Sequence, residues 1–441
     1  MDTTVVNTVA PTRKLPPRSV FRDAGRPSAR PFDYLLMVAL LWSSGNPLVD
    51  NTPLMKPWYA SMAFFMVAII LVRRSLFSRR DIWLIGGFST IVAAQVISTE
   101  YIGLLSVIGF FSKLVMALAV VRLIRNFPKV YVNAMFWTAI ISFPFFALMI
   151  ATKGRMGQII EPLALNVPDP YFLVHYFPSN HLLQNNSYFW EPGVFAGHLV
   201  LAIICLGAIQ EEYSFKRYRL IVFVLLAAVA STKSTGGFLI TPLAMTLHGK
   251  AFGKNMVIRA AITLAAIAGF VFLFSNADFL GSKINSQVGQ LQGGGRGWQL
   301  TRLGSMIYDF RLIKIHPIVG WGPNPDVGNG VVDLTVEKGE GNGITNFMSH
   351  FGICGMVFFI VSAWLGFRDI FHGKWMLATL SLITVMGMLN DEPFLSFPLF
   401  MTLMFLRRPV LQFTENVGIS REVSGNHIPL RAVNDTLHRP A

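Results

Sequence analysis

A few residues of this chain pair a reactive side chain with a setting that could use it. Arg296 stands inside Gly293-Gly294-Gly295-Arg296-Gly297. A guanidinium stays charged at any working pH, its planar fork fits phosphate oxygens, and flanking glycines let backbone approach such a group. A solvated loop arginine would read the same way. Lys233 lies in Ser231-Thr232-Lys233-Ser234-Thr235-Gly236-Gly237 between two short apolar runs, where a charge without a partner is costly. A phosphate or a partner carboxylate would satisfy it. Glu191 is a lone carboxylate opening an apolar run, with Pro192 next. It could accept a proton as a general base; the positive end of a helix also favours an acid there for structural reasons alone. The same two accounts fit Asp391 and Glu392 ahead of Pro393. His350, just inside another run, suits acid–base work or plain packing. Arg302, Arg311 and His316 follow Arg296 on one stretch, and Arg155 stands just after a run. They would bind anions if they faced one opening; contact with lipid headgroups, surface charge or, for His316, a helix end are the alternatives.

These groups ride on an apolar frame. The chain is 53% hydrophobic and 14% charged, with mean hydropathy +0.52, whereas a soluble domain carries about a quarter charged residues. Many separate apolar runs approach the ~20 residues that cross a bilayer. The fold class is therefore an all-α polytopic membrane protein. A net charge of +14 would suggest nucleic acid as a partner of a soluble protein, but the basic residues fall in short clusters between apolar runs, as the positive-inside rule requires. Cys205 and Cys354 both lie in apolar runs, so neither a disulfide framework nor a cysteine metal site is indicated.

Taken in order, a basic tail (residues 1–31) precedes runs at Phe32–Pro47, Pro57–Val72, Ile82–Ser98, Tyr101–Val121 and Val130–Ala151. Arg73, Arg74, Arg79, Arg80, Arg122, Arg125 and Lys129 mark one side, assigned as cytoplasmic. An outer loop, 152–190, leads to a run from Glu191 to about Gln210, then Leu220–Ala230, Phe238–Leu247 and Met256–Phe274. A large outer loop, 276–345, holds an apolar stripe at Leu303, Met306, Ile307, Phe310 and Ile313, the spacing of an amphipathic helix. The last runs, Asn346–Phe367, Trp375–Leu389 and Phe394–Leu406, fall in residues 346–408, and a polar tail (409–441) closes the chain. About twelve spans with both ends inside are expected. Trp190, Trp298 and Trp321 sit at expected outer boundaries, where interfacial anchoring or sugar stacking would place them.

Four ordered elements carry a family resemblance: Asn186-Ser187-Tyr188-Phe189-Trp190-Glu191-Pro192-Gly193 opening a run; Ser231 to Gly237 between two short runs; Arg296 with the amphipathic helix and His316-Pro317-Ile318-Val319-Gly320-Trp321-Gly322; and Asn346 to Gly355 with its Gly352-Ile353-Cys354-Gly355. Together they resemble the O-antigen polymerase and ligase superfamily of bacterial polysaccharide assembly. The resemblance implies glycosyl transfer at the periplasmic face of the cytoplasmic membrane, without metal, nucleotide or other cofactor. The donor would be a glycan on undecaprenyl diphosphate; the acceptor, a sugar hydroxyl of another carrier-linked repeat or of lipid A core. Membrane lipids, with flippase and chain-length regulator proteins, would be its other partners. Glu191, Arg296 and His350 are the implied catalytic residues, and Arg155, Lys233, Arg302, Arg311 and His316 would bind diphosphate or glycan. Ligase-like relatives often carry His-Asn where this chain has Gly341-Asn342, which tilts the resemblance toward a polymerase. A transporter would instead show ionisable residues deep in its spans and two related halves.

Overall fold

Prolines, glycines and short polar turns divide the apolar chain into helices. The computed structural model describes residues 29–50, 55–72, 78–99, 103–249 without 168, 180 and 182, 302–323, and 342–407 without 391. All belong to one compact unit, Pro27–Pro409. The two tails, the Met256–Phe274 run, Arg296 with its glycines, Trp298 and Asp391 lie outside the described residues.

The helices are α1 (Pro31–Trp42), α2 (Met55–Val72), α3 (Arg79–Thr99), α4 (Leu104–Leu123), α5 (Phe127–Ala151), α6 (Pro192–Ala208), α7 (Phe215–Thr232), α8 (Thr235–Met245), α9 (Arg302–Ile315), α10 (Gly343–Ile370) and α11 (Trp375–Leu389). Side chains cap several starts by accepting amide protons that no helical carbonyl can take. Asn126 accepts from the Lys129 amide, Ser234 from Gly237, and Asn342 from Ile344 and Thr345. Among the described residues α3, α4, α5 and α10 are long and apolar enough to cross a membrane. Phe64, Trp83, Ile97, Leu105 and Phe223 point outward and are exposed. Water would make that surface a liability, whereas lipid is its natural surrounding. This is an α-helical frame of the membrane kind.

Four such helices fall short of about twelve expected spans, and the differences have physical causes. The run Phe394–Leu406 is no continuous helix: it breaks into turns at Phe394–Ser396, Pro398–Met401 and Thr402–Phe405. Pro398 cannot donate to a preceding turn, and Phe400 and Phe405 are wholly enclosed. The first run ends as a helix at Trp42. α8 and α11 are apolar but shorter than a span, and α6 is buried along nearly its whole length, so it threads the middle of the bundle instead of facing lipid.

The loop expected to lie outside, 152–190, also departs from an all-α chain. Three short strands, β1 (Leu165–Val167), β2 (Asp169–Phe172) and β3 (His175–Tyr176), pair in antiparallel order β1-β2-β3, with Leu165 opposite Tyr171 and Phe172 opposite His175. At the far end of α6 from Glu191, Asn126 donates to the Glu212 carboxylate at 3.1 Å. The ends assigned to one side by their basic residues thus meet in space.

Candidate functional site

The turn between α7 and α8 is built by its own hydroxyls. Thr232 Oγ1 donates to the Val229 carbonyl at 2.7 Å and accepts the Ser234 amide at 3.2 Å, while Ser234 caps α8. Between them Lys233 takes the left-handed conformation at φ 50° and closes α7. A Cβ on Gly237 would lie 2.8 Å from the Ala196 Cβ, so only glycine lets the first turn of α8 press against α6. Thr232 and Ser234 are consumed by the turn. Lys233 is left half-buried, and among the described residues no carboxylate pairs with it.

Opposite this turn runs the chain from β3 to Glu191. Asn185 pins it: its amide group donates to Ser142 Oγ and Ser231 Oγ, both at 2.9 Å, and accepts the Ser187 amide at 3.1 Å. Its own backbone N–H donates to the Ser231 carbonyl at 3.0 Å. The segment that carries Glu191 is thereby tied to Ser231, two residues ahead of Lys233. Glu191 holds the N-cap place of α6, with Pro192 in the first turn, yet its side chain makes no capping hydrogen bond. It faces His181 instead, Oε1 to Nε2 3.9 Å. His181, Gln184, Glu191, Lys233, Ser234 and Thr235 line one small cleft that is open to the surface. It holds an ammonium group, a carboxylate beside an imidazole, and the first turns of two helices. The cation and the two positive helix ends suit an anionic group, and the carboxylate stands ready to take a proton.

The remaining candidates are distributed elsewhere. Residues His316–Gly322 dock onto α10 where that helix breaks at Gly352, φ 63° and ψ −171°. The break orphans backbone groups on both sides, and the docked segment satisfies them. Ile353 and Cys354 amides donate to the Pro317 and Ile318 carbonyls at 2.8 and 3.0 Å; Trp321 and Gly322 amides donate to those of Ser349 and His350, both at 2.9 Å. Gln95 of α3 donates to the His350 carbonyl at 2.7 Å and to that of Val319. A Cβ on Gly352 would meet the Ile318 oxygen at 2.2 Å, and one on Gly320 the His350 backbone at 2.5 Å. Two motifs separate in sequence are therefore one clasp.

His350 enters this clasp through its backbone and does not line the cleft. His316 stacks edge-on against Trp321 at 4.3 Å, and Trp321 is buried with its indole donating to the Leu312 carbonyl at 3.0 Å, so it is an internal anchor and not an interfacial one. Arg311 and Arg155 are exposed, and Arg302 begins α9. The buried face of α9 matches the expected stripe only in part: Ile313 is buried and Met306 and Ile307 are half-buried, but Phe310 is not. Ser305, Tyr308, Asp309, Leu312 and Ile313 turn inward while Phe310 is exposed. Asp309 sets that orientation by accepting from Thr345 Oγ1 at 2.8 Å.

Sequence reasoning assigned no role to His181 and Gln184, which line the cleft, or to Asn185, which pins the segment beside it. They occupy a polar loop without periodicity. No family model matches the chain, and no curated protein is detectably similar to it in sequence.

Proposed function

We propose that the chain is a membrane glycosyltransferase of bacterial polysaccharide assembly, a polymerase that moves a glycan from undecaprenyl diphosphate to a sugar hydroxyl of another carrier-linked repeat. Both termini in the cytoplasm and a periplasmic cleft belong to this reading. The observation that carries it is the meeting of Glu191, His181 and Lys233 in one cleft where α6 and α8 begin. It joins two of the four elements of the family resemblance, the Asn186–Gly193 stretch and the Ser231–Gly237 turn, which lie far apart in sequence.

In the reaction, the acceptor hydroxyl gives its proton to Glu191 as its oxygen bonds to the anomeric carbon. The bond from that carbon to the diphosphate oxygen breaks, and the electron pair leaves with the diphosphate. Lys233 and the N-terminal amides of α6 and α8 steady the charge that develops, as fixed donors aimed at a leaving group do. Arg296, Arg302, Arg311 and Arg155 are further diphosphate ligands in this reading, while His316 and His350 are held in the clasp on α10. A transporter reading draws no support from the break in α10, because the backbone groups freed on either side of it are already taken up by residues 317–322.

The test is to replace Lys233→Asn and Glu191→Gln in cells that make the polymer. Carrier-linked single repeats should accumulate on the outer face while protein levels stay normal. Unchanged polymer in both variants would sink the proposal. Repeats trapped on the cytoplasmic face would point to a flippase, and long polymer never joined to lipid A core would point to a ligase.

A further inference from the structure

At the far end of the bundle from the cleft, the start of α3, the ends of α4 and α10, and Arg407 converge on two carboxylates. Asp81 is fully buried and saturated. Arg122 holds it through two nitrogens at 2.5 and 3.0 Å, Ser78 donates through its amide and hydroxyl, and Arg407 stands at 3.5 Å. Asp369 is shared by Arg80 at 3.1 Å and Arg368 at 4.0 Å. Arg80 also donates to the carbonyls of Ser362 and Met404. Four guanidinium groups thus surround two carboxylates, and the surplus charge falls on the rim: the side chains of Arg368 and Arg407 are 43% and 29% exposed.

The rim has the character of a headgroup layer. Arg368 lies over the ring of Trp364 at 5.6 Å, and at the start of α7 Arg217 lies over Tyr213 and Arg219 over Phe215 at 5.8 and 5.5 Å. Aromatic rings bearing cations mark the depth at which lipid phosphates sit. A surplus of two guanidinium charges at that depth attracts anionic lipid, and arginine binds phosphate oxygens through paired N–H groups.

We propose that this end seats the headgroup phosphate of an anionic phospholipid, held by Arg368 and Arg407. The lipid fills the charge deficit that Asp81 and Asp369 leave, so it fastens α3, α4, α10 and the final turns from outside the protein. The site is independent of the cleft and of the reaction assigned to it.

The full chain should be placed in discs of phosphatidylcholine alone and in discs of equimolar phosphatidylcholine and phosphatidylglycerol. Anything that binds only the fold raises its melting temperature, so the mixed discs are expected to raise Tm by several degrees, less so in high salt. Phosphatidylglycerol should also be retained through detergent purification and seen by mass spectrometry. Arg368→Gln with Arg407→Gln should abolish the rise and the retained lipid. Because Arg407 touches Asp81, Arg368→Gln alone is the control: it should keep the Tm in phosphatidylcholine and lose part of the rise. A rise that persists in the double variant overturns the proposal. So does an equal rise from inorganic phosphate added to phosphatidylcholine discs, which would make the rim a small-anion site.

Discussion

At one end of the bundle Asp81 takes hydrogen bonds from Arg122 and Ser78 and has Arg407 beside it; at the other, Lys233 stands half-buried with no carboxylate paired to it among the described residues. Both regions place charge near an apolar frame, where an unpartnered charge is costly. They differ in who supplies the counter-charge. In the arginine clasp the protein supplies it, and the result is a fastener between helices. In the cleft no described carboxylate pairs with Lys233, and the proposed reading gives that place to a ligand's phosphate. Glu191 shares the cleft: it occupies a helix start without capping it and faces His181 at 3.9 Å.

The contrast breaks if the clasp turns out to be dispensable. Arg122→Met removes the bidentate partner of a fully buried carboxylate. Leaving a buried charge without its partner costs about 3–5 kcal/mol, so the variant should melt far below the wild type or fail to accumulate. Adding Asp81→Leu should recover most of the loss, because the pair as a whole is replaceable by apolar packing. The cleft should respond in the opposite manner. Glu191→Gln should lower turnover by roughly 10²–10⁴-fold, the usual contribution of a general base, with Tm nearly unchanged. Lys233→Asn should also abolish most turnover, since asparagine tolerates the left-handed backbone there but carries no charge.

Asn185 joins the two kinds of behaviour and sharpens the comparison. Asn185→Ala strips hydrogen bonds from a fully buried strap, at a cost of about 1–3 kcal/mol. It should slow turnover as well, because the strap sets Glu191 against Lys233. In a Lys233→Asn background the further loss of turnover should vanish while the fall in Tm remains. If both losses persist, Asn185 has only a structural role.

Much of the cleft could be read from the sequence because it rests on local rules. Pro192 after Glu191 announces a helix start, and Ser234 with its glycines announces the next. The clasp at Gly352 could not be read, since a Gly-x-x-Gly pair in an apolar run looks the same whether it packs helices together or admits a docked loop. Asp81 drew no notice for a similar reason: its meaning depends on Arg122 and Arg407, brought to it only by the fold. The α9 stripe misled at Phe310, which lies outward beside an inward Asp309, because a hydrogen bond from Thr345 turns the carboxylate inward and sequence spacing does not show that partner. The helix α11 coincides with the expected run Trp375–Leu389, where a basic turn and a polar turn bound it on both sides.

His175 supplies the mildest test and the one that defines what withholding a partner means. It lies in β3, fully buried between Phe145 and Phe177, at 5.3 and 4.7 Å, and neither ring nitrogen has a hydrogen-bond partner. Burial pushes its pKa down from the usual 6.5 to about 3. The fold therefore keeps the ring neutral while the unfolded chain protonates near its ordinary value. As pH falls below about 6.5 the unfolded state gains a proton that the fold refuses, so stability declines from there toward pH 3 and is complete above 6.5. His175→Phe should leave Tm at pH 7.5 within a degree or two of the wild type and flatten the fall in Tm between pH 6.5 and 5. An unchanged acid slope would show that His175 is not the group responsible. A loss of turnover at neutral pH would show something more: that a missing partner marks function even where no ligand can reach. The expected result, an acid-sensitive fold with intact turnover, confines that inference to groups that are both unpartnered and open to the cleft, as Lys233 is.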